Sequence, residues 1–225
     1  VLRAARGTGV SEWWFLGDMV GYGADPAHCA RHCLSETTRC LAGNHDLAAA
    51  RRVDTAVFVG WARDALEWTA AALGPGLTRE LADLMPSDPD HDVPIFHASP
   101  RDPVWEYVVT DAVARASLEH LSAPLGFVGH THVPSAWHLS PEGDLNGGPL
   151  TGEATVQLTA GRWLVNPGSV GQPRDGDARA SWAIYDTDAE TVRIRRTPYD
   201  VAGAQNAILS AGLPSLLADR LSLGR

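Results

Sequence analysis

Side chains able to bind a metal or move a proton recur at the ends of apolar runs in this sequence. "EWWFLGD" delivers Asp18, "RCLAGNHD" delivers Asn44, His45 and Asp46, "VPIFHASP" delivers His97, and "LGFVGHTH" delivers His130 and His132. A carboxylate, an amide oxygen and several imidazoles form the mixed oxygen and nitrogen set that Mn²⁺, Fe²⁺, Zn²⁺ or Ni²⁺ accept. No cysteine belongs to it, so a closed structural zinc site is not what is being built. In "GHTH", alternate residues of an extended chain point the same way, so His130 and His132 are expected to face one cavity. One bridging carboxylate and two neighbouring histidines are an economical way to hold two metals about 3.5–4 Å apart. Read alone, "GNHD" is an ordinary turn into a helix, with Asp46 in the first turn where the helix dipole favours a carboxylate.

The elements that must position these groups follow from the pattern around them. "DPAHCARHCL" reads as a helix begun by Asp25 with Pro26 at its first position. Helical spacing dominates from about Thr55 to Leu84, broken by "LGPG" at 73–76, and returns at about 110–121. Strands that deliver polar groups at their carboxyl ends place a ligand site on that edge of an α/β sheet. The second half changes character, because "SAWHL", "TVQLT", "RWLVN", "SWAIYD" and "TVRIRR" are short strands between turn residues, as in antiparallel sheet. "SPEGDLNGGPLTGE" at 140–153 reads as a long flexible hairpin loop, and the tail from Val201 as two helices split at Gly212. An α/β fold with αββα layering, two mixed sheets face to face with helices outside, accommodates both halves in a single domain over 1–225. Segment 54–92 is a candidate lid or subunit contact; its Trp61, Ala65 and Trp68 form a stripe that usually faces a core but leaves room for a homo-oligomer.

Composition narrows the partners. The 225 residues are 44% hydrophobic with a formal net charge of -9, and every basic residue is arginine. That acidity argues against a nucleic-acid backbone as the main partner. No apolar run approaches the roughly 18 residues of a membrane span, and no signal-peptide pattern opens the chain, so the expectation is a soluble cytoplasmic protein with no membrane partner. Cys29, Cys33 and Cys40 fit free thiols in a reducing compartment, with the histidines of "HCARHC" exposed and its cysteines buried.

"GDMVGYGADP", "GNHD", "FHASP", "GHTHVP" and "NPGSVGQPRDGD" together resemble the ordered signature blocks of the calcineurin-like metallophosphoesterase superfamily, in particular its compact bacterial and archaeal phosphodiesterase-like branch. The resemblance implies that Asp18 bridges two divalent metals, that Asn44, His97 and His130 complete one site, and that His132 serves the other. It implies that His45 hydrogen-bonds phosphate and protonates the leaving oxygen, with Asp46 orienting it. The chemistry is coherent: phosphate esters are anionic and resist water, and two cations neutralise phosphoryl oxygens and lower the pKa of a bridging water. Tyr22, Ser169 and Arg174 are candidate substrate contacts, Arg174 because it offers a fork of donors.

Family members open with a strand ending in an Asp-x-His pair that supplies two ligands to the first metal. This chain starts at "VLRAARGTGVSEWW", which resembles the helix after that motif, so the fold is expected to lack its first strand. The first metal then keeps Asp18 and His132, and one bound metal becomes the alternative to two. The implied function is hydrolysis of phosphodiesters or small phosphorylated metabolites. Phosphoprotein phosphatase and dinucleotide polyphosphate hydrolase are alternatives, as is a non-catalytic protein-binding scaffold, which would not need His45.

Overall fold

A computed structural model describes residues 1–225. Its largest sheet holds six strands: β3 (Ser87–Asp88), β4 (Ile95–Phe96), β5 (Leu125–Phe127), β6 (Ser135–Leu139), β7 (Leu145–Pro149) and β9 (Arg162–Asn166), in the order β3-β4-β5-β9-β6-β7. Strands β4, β5 and β9 run parallel, and β3, β6 and β7 are antiparallel to their neighbours, so the sheet is mixed. The facing layer comes in two pieces. One is a parallel pair of β1 (Trp14–Phe15) with β2 (Arg39–Cys40). The other is an antiparallel sheet in which β11 (Thr191–Thr197) lies between β10 (Ala180–Asp186) and β8 (Ala154–Gln157).

Apolar side chains alternate inward to join the layers. Ile95, Leu125, Phe127 and Val165 of the large sheet meet Val156, Val192 and Ile194 of the three-stranded one, and Leu41, Trp14 and Leu16 extend the same core to the parallel pair. Helix α5 (Asp111–His120) covers the outer face of the large sheet through Ala114 and Leu118. On the other outside, α1 (Leu2–Arg6) sets Ala5 against Trp182 and Ile184. Helices α2 (Pro26–Glu36), α3 (Asn44–Ala49) and α4 (Gly60–Asp83) pack with Phe15 and Cys40 over the parallel pair. Helices α6 (Val201–Ser210) and α7 (Ser215–Leu223) close on α4 through Ile208, Leu217 and Leu221. This is the αββα layering expected, with its second sheet divided.

Two local expectations need correction, and a third gains detail. Residues 145–149 are strand β7 rather than loop, because Gly147 at φ 108° lets the chain lie against Ala136, where a Cβ would sit 2.0 Å from the carbonyl oxygen. The helical part of the 54–92 segment, the candidate lid or subunit contact, is anchored. Leu66, Leu73, Leu77 and Leu81 bury α4 in the core, and only the short 3₁₀ turn Thr55–Val57 with Phe58 reaches toward the polar strand ends. Cys29 is exposed rather than buried, whereas Cys33 and Cys40 are half-buried beside the helical core.

Inside α4, Gly74 at φ 72° and ψ 168° makes the break that "LGPG" announced. That conformation is essentially reserved for glycine, and the space around it is open. Gly74→Ala should therefore destabilise by about 1–3 kcal/mol through backbone strain alone, seen as a lower urea midpoint at unchanged slope. No helix is long and apolar enough to cross a membrane.

Candidate metal centre

The loops that leave β1, β2, β4 and β5 converge on Asp18. Its Oδ1 lies 3.7 Å from His97 Nε2, and its Oδ2 lies 3.8 Å from His132 Nε2. His97 Nε2 is in turn 3.1 Å from His130 Nδ1 and 3.2 Å from Asn44 Oδ1. The ligand atoms of Asp18, His97 and His130 all fall within 4.8 Å of one another. Asn44, His97, His130 and His132 are buried, and the Asp18 side chain is 5% exposed. One carboxylate thus offers an oxygen to each of two ligand sets.

Two of the imidazoles are locked by carbonyl groups. His97 Nδ1–H donates to the Leu16 carbonyl at 2.7 Å, and His132 Nδ1–H donates to the Gln172 carbonyl at 2.8 Å. Each Nε2 is left with a lone pair turned toward a buried carboxylate. Such groups repel unless a cation lies among them, and the set is one that borderline divalent metals accept. The residues present therefore fit the metal that the sequence implied. Burial lowers the pKa of His132, and burial with neighbouring His97 pushes His130 to about 3, so both are neutral ligands at pH 7. Burial would raise the Asp18 carboxyl, but His97, His45 and His132 around it hold it well below the usual range.

The approach to the centre is not the extended one expected of "GHTH". His130 at φ 62°, His132 at φ 60° and Asp18 at φ 61° are all left-handed, a conformation costing about 1–3 kcal/mol for a non-glycine residue. Asn166 holds the histidine loop in place: its Nδ2 donates to the Gly129 carbonyl at 2.5 Å and to Thr131 Oγ1 at 3.0 Å. Close approach of the β1 and β2 loops needs Gly43, where a Cβ would lie 2.0 Å from Asp18 Oδ1. Gly43→Ala should displace Asp18 and weaken metal binding about 10–100-fold, which a Mn²⁺ titration would read directly.

The resemblance implied that Asp46 orients His45; in the structure the hydrogen bonds of Asp46 go to backbone groups and none joins it to the His45 ring. Its Oδ2 accepts the backbone N–H of Asp18 at 2.7 Å and of Gly43 at 2.8 Å, and its Oδ1 accepts that of Val20 at 3.1 Å. The carboxylate faces backbone donors from both loops, so it is committed to tying them together. Burial and the neighbouring Asp18 push its pKa upward, against the opposing pull of the backbone N–H groups. His45 is instead held by rings, stacked 4.1 Å from Tyr22 and edge-on 5.0 Å from Phe58. Its Nδ1 has no hydrogen-bond partner and lies over Gly21, where a Cβ would come within 2.6 Å. Its backbone N–H donates to Asp18 Oδ1 at 3.0 Å. Burial pushes its imidazole down to about 4, so it is uncharged at pH 7.

Residues 1–190 match the calcineurin-like phosphoesterase superfamily domain. The chain belongs to that superfamily. An uncharacterized protein of Methanocaldococcus jannaschii is 35% identical over 234 residues, spanning 100% of this chain and 91% of the relative. A metallophosphoesterase crystal structure from Sphaerobacter thermophilus superposes with a TM-score of 0.87 at 35% identity, covering 100% of this chain and 94% of that one. A hypothetical protein of Pyrococcus horikoshii shares the fold, with a TM-score of 0.78 at 17% identity over 100% of this chain and 90% of its own. Membership and the Asp/His/His cluster together point to a metal-dependent hydrolase of phosphate esters.

The candidate substrate contacts of this phosphoesterase divide. Tyr22 donates its hydroxyl to Asp18 Oδ2 at 3.0 Å, so it offers the site its ring rather than its oxygen. Arg174 is brought alongside, its backbone N–H donating to the His132 carbonyl at 3.1 Å and its guanidinium 5.9 Å over the Tyr22 ring. The guanidinium donates to Gln172 Oε1 at 2.9 Å. Ser169 is not drawn in by any hydrogen bond to the ligands; its Oγ accepts from the Gln172 backbone N–H at 3.0 Å within its own turn. The loop is anchored from behind by Arg196, which is buried against Asp175. Phe58, Trp105 and Tyr107, unremarked in the sequence, gather here as well, with Tyr107 centred 4.0 Å from the His130 ring. A cluster of aromatics just after "FHASP" was the available signal.

Proposed function

We propose that this chain is a metal-dependent phosphoesterase hydrolysing phosphodiesters or small phosphorylated metabolites, with His45 as general acid. The observation that carries the reading is the single carboxylate of Asp18 set between two ligand groups, with His45 packed beside it. Asn44, His97, His130 and one oxygen of Asp18 would hold the first cation to load. His132 and the other oxygen would contribute to a second. Divalent cations there, Mn²⁺, Fe²⁺, Zn²⁺ or Ni²⁺, would supply neutralisation of phosphoryl charge and activation of a water.

The chain's own residues do the rest. Asp46 fixes the spacing of the Asp18 and Asn44 loops. Tyr22 and Phe58 hold the His45 ring against rotation, which matters for a group that must meet a leaving oxygen in one geometry. An anionic ester entering beside His45 raises its pKa from about 4, so binding itself populates the protonated imidazole that has a proton to give the leaving oxygen. Arg174, alongside Tyr22, would take a phosphoryl oxygen.

The test is metal content with Mn²⁺-dependent hydrolysis of bis(p-nitrophenyl) phosphate and p-nitrophenyl phosphate, beside Asp18→Asn. Turnover lost with the metal in Asp18→Asn is expected, and the ratio of the two substrates separates diesterase from monoesterase. Full metal loading of the parent protein without turnover on either substrate would sink the reading in favour of a protein-binding scaffold.

A further inference from the structure

One feature of the centre's rim is not accounted for by metal binding or proton transfer. Trp105 is 39% exposed and Tyr107 47% exposed, whereas every other Trp, Tyr and Phe of the chain is buried or half-buried. They do not project from a loose loop. Asp102 Oδ1 accepts the backbone N–H groups of Val104 and Trp105, each at 3.1 Å, and Ser99 Oγ donates to Glu106 at 2.6 Å. Ser99 N–H also donates to the Asp102 carbonyl at 3.2 Å and Ala98 N–H to that of Pro103 at 3.1 Å. The turn carrying the two rings is thus prebuilt directly after His97.

The rings continue into the site. Trp105 lies 5.7 Å from Phe58, Phe58 lies 5.0 Å from His45, and Tyr107 lies 4.0 Å from His130. A run of aromatic rings, tilted or edge-on to one another, therefore begins in solvent at Trp105 and Tyr107 and reaches His45 and His130. An organic group on an ester oxygen beside His45 has Phe58, and beyond it Trp105, as aromatic neighbours. Flat rings held rigidly give contact area at little entropic cost and select flat partners over flexible chains.

From this we infer that Trp105, with Phe58 and Tyr107, forms a stacking subsite that selects phosphate esters whose organic part is a planar ring system of nucleobase size. The inference rests on the phosphoesterase reading and assigns its substrate class. Stacking on such a platform strengthens binding of a planar group by about 5–100-fold over phosphate alone.

Calorimetric titration of the Mn²⁺-loaded protein with adenosine 5′-monophosphate and with inorganic phosphate tests it. The nucleotide should bind at least about tenfold more tightly than phosphate. Trp105→Ala should erase that preference while phosphate affinity stays put, and Trp105→Phe should restore most of it. Because Trp105 is exposed, neither variant threatens folding, which a urea curve confirms. Equal binding of nucleotide and phosphate by the parent protein overturns the inference while the phosphoesterase stands, as does a preference that survives Trp105→Ala. A dimer weakened by Trp105→Ala with the preference unchanged would reassign the rings to a contact between copies. Failure of both ligands to bind a metal-loaded site would remove the phosphoesterase reading, and the subsite with it.

Discussion

Asp46→Ala is expected to destabilise the metal-free protein by about 3–5 kcal/mol, the largest stability effect of any single change at the site. The side chain is fully buried, and its two oxygens take N–H groups from Asp18, Val20 and Gly43. Truncation leaves those donors without partners in a space too closed for easy hydration, and each buried unsatisfied group costs about 1–3 kcal/mol. Relief of the carboxylate's own desolvation offsets part of the sum, which is why the expected loss lies at its lower end. Asp46→Asn should fall between, since its one oxygen can keep two of the donors while its amide N–H faces the third. Urea unfolding at pH 7 orders the three proteins. An Ala variant within 1 kcal/mol of the parent would mean that the loops are tied by something other than this carboxylate. Metal affinity should drop alongside, because Asp18 and Asn44 sit on the two loops that Asp46 joins.

That role was invisible in the sequence for a physical reason. A carboxylate that accepts backbone N–H groups and one that orients an imidazole are the same letter at the same position, and only the fold decides which donor arrives. Which side chains would come together was easier to read. Asp18, Asn44, His97, His130 and His132 each end an apolar run, and the layering that brings strand ends together follows from alternation and helical spacing in those runs. The conformation that aims them was not readable, since nothing in "GHTH" or "GDMV" declares a left-handed histidine or aspartate. Such strain is paid by neighbours far along the chain, here Asn166 on the Gly129 carbonyl. The same distance effect hid the division of the second sheet and turned 145–149 from loop to strand, because a partner strand, not local composition, determines whether Gly147 and Gly148 are held extended.

His45→Ala should lower turnover by about 10²–10⁴-fold while leaving metal content unchanged. The imidazole makes no hydrogen bond to the Asp18, Asn44, His97, His130 and His132 side chains; its contacts are the Tyr22 and Phe58 rings, and only its backbone N–H touches Asp18. Alanine preserves that backbone contact, so ligand geometry survives. The size of the loss should depend on what departs. A leaving group that is itself a weak base, such as p-nitrophenolate, needs little protonation, so the variant should retain more activity on a p-nitrophenyl ester than on an alkyl ester. A metal-only role for the site predicts the same fractional loss on both. Equal sensitivity of the two esters would therefore assign His45 to binding the phosphoryl group, and a loss of metal in the variant would assign it to the ligand framework. The low pKa that burial imposes adds a further sign: since only the protonated ring can donate, the His45-dependent part of the rate should keep rising as the pH falls from 7 toward 5 rather than level off below 6.5 as it would for a free imidazole.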